Sequence, residues 1–184
     1  MSTQTPRSLT QLLAQLPDNT SGLISAQDVR DMLVSLYPSR GQIKLAGTPQ
    51  ETTFTAQDVY TPLLATTIID TEVCTGCVDM PTNGQLRFVR PVVQVVLINA
   101  TLGVMPSGNN LEYSFTFAVN GVPNDLLRVR QGFAVSQGRS TGVFLSGLVR
   151  LQPGDIVSVV ARADGHTTAL TTSVLTLSGV GFLT

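Results

Sequence analysis

The sequence predicts a mainly β protein: an antiparallel sandwich or barrel behind a helical segment that occupies residues 1–40. Three observations carry this. Hydrophobic residues recur at period two from Tyr60 onward. Short turn signatures separate the alternating runs, with no helical stretch between them. The first forty residues carry apolar stripes of helical period instead.

In the helical part, Ser8 can cap a segment from Leu9 to Leu16. Its stripe is Leu9, Leu12, Leu13 and Leu16, and Pro17 stops it. Residues 18–22 read as a turn. Ser25 then caps a second segment, with Asp28 completing an acidic variant of the capping box. Val29, Met32, Leu33 and Leu36 repeat the stripe, and Pro38 ends it. Helices this short are marginal alone in water, so both stripes need a surface to bury against. They are the candidate interaction residues. A helix-turn-helix DNA reader would offer only Arg30 as a base, between Asp28 and Asp31, and is set aside.

Residues 39–59 are polar and read as a linker or as a first short strand, Gln42 to Leu45. Val92 to Ala100 is almost continuously apolar and β-branched, which suits a strand covered on both faces. Leu111 to Asn120 alternates. Tyr113, Phe115, Phe117 and Val119 form one face, and Glu112, Ser114, Thr116 and Asn120 the other, with Ala118 among them. That is the pattern of a half-buried strand, and Asn120-Gly121 closes it with a hairpin turn. Val143 to Leu151, Ile156 to Ala163 and Ser173 to Phe182 continue the series. Gln152-Pro-Gly-Asp155 and Asp164-Gly165 supply turns between them.

Composition narrows the function. Only 12% of the 184 residues are charged and the net charge is −1, against broad binding to a phosphate backbone. Lys44 is the only lysine, while serines and threonines number 37. A surface so poor in charge is sticky as a free monomer and points to cover by copies or partners. The longest apolar run, Val95 to Ile98, is far below the roughly 20 residues of a membrane span. Met1 to Thr10 lacks the pattern of a secretory signal. No membrane or nucleic-acid partner is expected.

Catalytic chemistry is sparse. His166 reads as an exposed loop residue with no nucleophile elbow to serve. The carboxylates are scattered, and Asp155 reads as part of a turn. There is no tryptophan platform for sugars and no phosphate-binding glycine loop. Cys74 and Cys77 form one C-x-x-C with three open readings: a redox pair, half of a zinc site completed by a second chain, or a loop pair, reduced or closed as a local disulfide. The chain therefore reads as a non-enzyme without cofactor or metal.

Two segments carry a resemblance. Residues 18–36, Asp-Asn-Thr-Ser-Gly-Leu-Ile-Ser-Ala-Gln-Asp-Val-Arg-Asp-Met-Leu-Val-Ser-Leu, resemble a short N-terminal helical element of bacteriophage virion proteins. Residues 148–168, with Leu-Gln-Pro-Gly-Asp-Ile-Val-Ser-Val inside them, and the run 173–182 resemble the closing strands of a tumour-necrosis-factor-like jelly roll. That module occurs in phage head fibres, decoration proteins and tail appendages. The resemblance implies an antiparallel jelly-roll sandwich at 41–184 and a homotrimer. It also implies docking by the N-terminal segment onto the major capsid protein or other virion proteins, on a virion assembled in the host cytoplasm. The alternative is a tail or baseplate fibre module that recognises a host surface. Its contacts would lie in loops such as Met105–Asn110 and Gln131–Thr141.

Overall fold

Period-two alternation sets the strands of this chain, and turn chemistry sets where they end. A computed structural model describes residues 38–71, 78–134 and 139–183, together with Asp28, Val29 and Met32. Those last three are helical, in keeping with the second capped segment. Leu9, Leu12, Leu13, Leu16, Leu33, Leu36, Cys74 and Cys77 lie outside the described residues.

The strands are β1 (Ser39–Leu45), β2 (Gln50–Thr52), β3 (Thr61–Pro62), β4 (Thr67–Ile69), β5 (Val78–Asp79), β6 (Gln85–Phe88) and β7 (Gln94–Pro106). They continue with β8 (Leu111–Val119), β9 (Val122–Pro123), β10 (Val129–Phe133), β11 (Thr141–Leu151), β12 (Ile156–Ala163) and β13 (Leu170–Leu183). A 3-10 turn, Asp125–Leu127, follows β9. One sheet has the order β11-β7-β13-β1-β4, with β2 beside β13. The other has the order β10-β8-β12-β6-β5, with β3 beside β12 and β9 beside β8. Every pairing is antiparallel, and the two sheets form the expected jelly-roll sandwich.

The inner faces meet in one apolar core. The first sheet contributes Ile43, Val96, Ile98, Leu102, Leu145, Leu175 and Leu177, and the second Leu86, Phe88, Tyr113, Phe115, Phe117 and Val157. Each such side chain contributes about 1.5–3 kcal/mol relative to exposure. The sheets approach so closely at Gly179 that a Cβ there would sit 2.6 Å from Phe88 Cζ. At the β8–β9 hairpin, Asn120 and Gly121 both have positive φ, 51° and 79°, as a two-residue type I′ turn requires. The Asn120 side chain locks the turn: Oδ1 accepts from Ile156 N at 2.9 Å and Nδ2 donates to Asp155 at 2.7 Å.

β12 has the expected bounds. The first strand starts earlier, at Ser39, because Ser39 and Gly41 point into the sandwich and pair with Gly181 and Gly179. β7 runs on to Pro106, so Met105 and Pro106 are not loop residues; they pair with Thr171 and Leu170. β10 likewise takes Gln131 to Phe133 out of the second expected loop, paired with β8.

Two burial expectations are reversed. β8 is not half-solvated: Ser114, Thr116 and Ala118, on the face away from the core, are all fully buried. The segment before β3 and the turn after β9 arch over them. Tyr60 Oη reaches across to donate to Asp125 at 2.8 Å, and Thr116 Oγ1 donates to the Asn124 carbonyl. Small hydroxyls bury without penalty when each finds such a partner. β7, by contrast, is sealed on one face and only partly covered on the other: Gln94, Val96, Ile98, Ala100 and Leu102 are buried, while Val95, Leu97, Asn99 and Thr101 opposite are half-buried.

Candidate functional site

Among the described residues, the chemistry-bearing side chains serve turns and local networks. Asp155 completes its turn by accepting from Gln152 N at 2.7 Å. Asp164 is almost buried and serves a local network. It accepts from Ser114 Oγ at 2.7 Å and Arg162 Nε at 2.8 Å, and pairs with Arg130 Nε at 3.3 Å. His166 is half-buried rather than exposed, with both ring nitrogens engaged: Nε2 to the Glu112 carbonyl and Nδ1 from Thr168 N. The turn draws it in because its ring packs edge-on against Tyr113, centroids 4.8 Å apart. Burial pushes the Tyr113 hydroxyl well above the ordinary tyrosine range, and that hydroxyl donates to the Thr168 carbonyl at 2.9 Å. No metal-holding group of three or more His, Cys, Asp or Glu occurs among the described residues.

What the fold does build is a surface: the outer face of the β11-β7-β13-β1-β4 sheet. Strand register arranges it in rows. Arg150, Val95 and Phe182 stand side by side; the next row is Leu148, Leu97, Val180 and Arg40. A polar row follows, Ser146, Asn99, Ser178 and Gln42, in which Ser146 donates to Asn99 Oδ1 at 2.8 Å. Beyond it lie Phe144, Thr101, Thr176, Lys44 and Ile68. Large apolar side chains stand open here: Phe144 is 70% exposed, Leu148 63%, Phe182 51% and Ile68 47%. Lys44 pairs with Asp70 at 3.1 Å on the same face.

Of the expected interaction residues, two are described. Met32 is half-buried and Val29 is 43% exposed. The sheet face was not singled out from the sequence. Its signal was the run Val92 to Ala100, which is apolar on both strand faces although this chain buries only one.

Known proteins are similar to this chain in fold alone. No protein-family model matches the sequence, and no curated protein matches it. Among solved structures, Eiger TNF from S. frugiperda superposes with a TM-score of 0.54 at 10% identity, over 80% of this chain and 94% of that one. Murine APRIL is similar at pH 5.0, with TM-score 0.47 and 11% identity, over 78% of this chain and 98% of that one. The murine APRIL structure at pH 8.5 gives TM-score 0.46 and 13% identity, over 77% and 98%. The likeness to Eiger TNF shows that the two chains share a jelly-roll sandwich fold.

Proposed function

We propose that this chain is a non-enzymatic structural protein of a bacteriophage particle: a homotrimeric capsid decoration, cement or head-fibre protein. The observation that carries self-association is the open apolar face of the β11-β7-β13-β1-β4 sheet. Val95 with Phe182 and Leu148 with Leu97 and Val180 form adjacent apolar rows across three strands, with Phe144 and Ile68 beyond a polar row, and apolar patches of this kind mark association sites on soluble proteins. Each fully covered large side chain there contributes about 1.5–3 kcal/mol. The threefold count and the virion setting rest on the resemblance of residues 18–36 and 148–182. The docking partner is a capsid or other virion protein, engaged by the N-terminal segment. Binding only the assembled shell, the protein would stabilise it by mass action.

Lys44 offers a direct test, because it is the only lysine and stands on the proposed contact face. Light scattering is expected to give three times 19.5 kDa, and an amine-reactive ester is expected to modify Lys44 slowly in the trimer and quickly in a dissociated variant. A monomer with freely reactive Lys44 overturns self-association. For docking, chains with and without residues 1–37 are mixed with bare particles; decoration by the shortened trimer overturns N-terminal anchoring.

One observation favours the host-surface alternative. A shallow open cleft lined by Asn110, Leu111, Glu112, Gly132, Phe133 and Ala134 lies at the end of the sandwich away from where β1 enters. Labelling of host cells by the purified protein, lost on filling the cleft with Gly132→Trp, would support that reading instead.

A further inference from the structure

We propose that His166 is a proton-operated latch on the β12–β13 turn. The inference is independent of the trimer. A carbonyl oxygen only accepts, so the 2.9 Å contact between Nε2 and the Glu112 carbonyl requires a hydrogen on Nε2. The Thr168 amide donates to Nδ1 at 3.2 Å, so Nδ1 is the bare nitrogen. The hydrogen bonds thus select the neutral Nε2–H imidazole. Adding a proton to that ring places an N–H on Nδ1 directly against the Thr168 N–H. One hydrogen bond is lost and two donors face each other.

The turn cannot absorb this locally, because it is tied on several sides. Tyr113 Oη donates to the Thr168 carbonyl at 2.9 Å, and Ser107 N donates to the Ala169 carbonyl at 3.0 Å. Asp164 N shares the Glu112 carbonyl with His166 at 3.0 Å, and Gly165 N donates to Asp58 at 3.2 Å. A shift of residues 166–169 therefore passes to the β7–β8 turn and to the start of β8 beside the open cleft. The charged groups around the turn come from each packed element. They are Glu112 on β8 and Arg130 on β10, which pair with each other, Arg162 and Asp164 at the end of β12, and Asp58 before β3. The ring of His166 hydrogen-bonds the Glu112 carbonyl and the Thr168 amide rather than any of these carboxylates. Adding the ring proton is therefore expected to open this end of the sandwich while the opposite end, where Ser39 meets Gly181, stays closed.

His166 is the only histidine, so its imidazole signals are unambiguous in the full-length protein. Nitrogen-15 spectra at about pH 7.5 are expected to show a bare Nδ1 and a protonated Nε2. Amide exchange at Thr168, corrected for its intrinsic pH dependence, is expected to rise about tenfold between about pH 7.5 and about pH 5. His166→Asn keeps an acceptor near the Nδ1 position and cannot titrate, so its corrected exchange is expected to stay level. An Nδ1–H tautomer at neutral pH, level exchange in the wild type, or the same rise in His166→Asn each overturns the latch. Should His166→Asn fail to fold, the wild-type ring titration and the Thr168 amide shift must share one midpoint; separate midpoints overturn it.

Discussion

The outer faces of the two sheets have opposite fates. On the β10-β8-β12-β6-β5 sheet, Ser114, Thr116, Ala118 and Val160 are buried by the chain's own loops. On the β11-β7-β13-β1-β4 sheet, Phe144, Leu148, Phe182 and Ile68 stand open. The polar-looking face is the covered one, and the apolar face is the bare one. The difference teaches that cover depends on what a chain places over a face, not on how apolar the face is. Tyr60 bridges to Asp125 across one sheet, with the Arg162 guanidinium 5.3 Å from its ring centre. In the proposed trimer, the open face is where a second copy would supply a covering layer.

The strongest test of this contrast puts the same chemistry on each face. Val160 is 3% exposed under the arch, and Val160→Asp leaves a buried charge without a partner. The expected cost is about 3–5 kcal/mol, read as a collapse of the urea midpoint. A midpoint close to wild type would mean that the arch does not seal this face. Leu148→Asp with Phe144→Asp is the counterpart on the open face. The monomer fold is expected to hold within about 0.5 kcal/mol for each exposed substitution. Self-association is expected to weaken by about 2 kcal/mol or more, roughly thirtyfold, if these side chains anchor the contact. Sedimentation checks it, and an unchanged mass would place the contact elsewhere.

Part of this contrast was legible in the sequence. Ile156–Ala163 reads as a strand to the residue, because β-branched alternation ends at turn residues on both sides. The core face of β8 is equally plain in Tyr113, Phe115 and Phe117. The short strands β2 to β6 were not separable one by one in the sequence, because segments of two to four residues are too short to mark their own ends; β3, for example, is held by β12 from far along the chain. The burial of Ser114 and Thr116 was hidden for the same reason. Their partners, Asp164 and the Asn124 carbonyl, come from elsewhere in the chain, and a hydroxyl in sequence looks alike in water or under a loop. The open face was legible only as an excess: Val92 to Ala100 carries more apolar surface than one sheet face uses.

A smaller test acts on the arch itself. Tyr60→Phe removes the hydrogen bond to Asp125 but keeps the ring under Arg162. At this partly exposed site the cost is expected to be about 0.5 kcal/mol at neutral pH. Burial, and then the donated bond to the Asp125 carboxylate, hold the Tyr60 hydroxyl above its ordinary value of 10.0. A raised value favours the folded state below the unfolded tyrosine range and loses that advantage as pH rises through the folded one. Wild type is therefore expected to lose its margin over Tyr60→Phe in the alkaline limb. A margin constant with pH would mean that the bond to Asp125 is not made in solution.

The smallest effect is expected at the rim of the covered sheet, where Arg87 and Asp79 pair across β6 and β5. Arg87 Nη2 lies 2.6 Å and Nε 2.8 Å from the two carboxylate oxygens. The donated hydrogen bonds hold the Asp79 carboxyl below its ordinary 3.8. A lowered value gives stability that is present above the unfolded aspartate range and fades as pH falls through the folded one. Both side chains are well exposed, 39% and 44%, so water and salt screen most of the attraction. Asp79→Asn is therefore expected to lower the melting temperature slightly at neutral pH and low salt. The difference should shrink in high salt and vanish in acid below both carboxyl ranges. Because β5 pairs only with β6 along that edge, the loss should appear first as faster amide exchange at Val78–Asp79, with β12 unchanged. Equal loosening of β12 would show that the rim pair supports the whole sheet, and that its covered face depends on more than the arch.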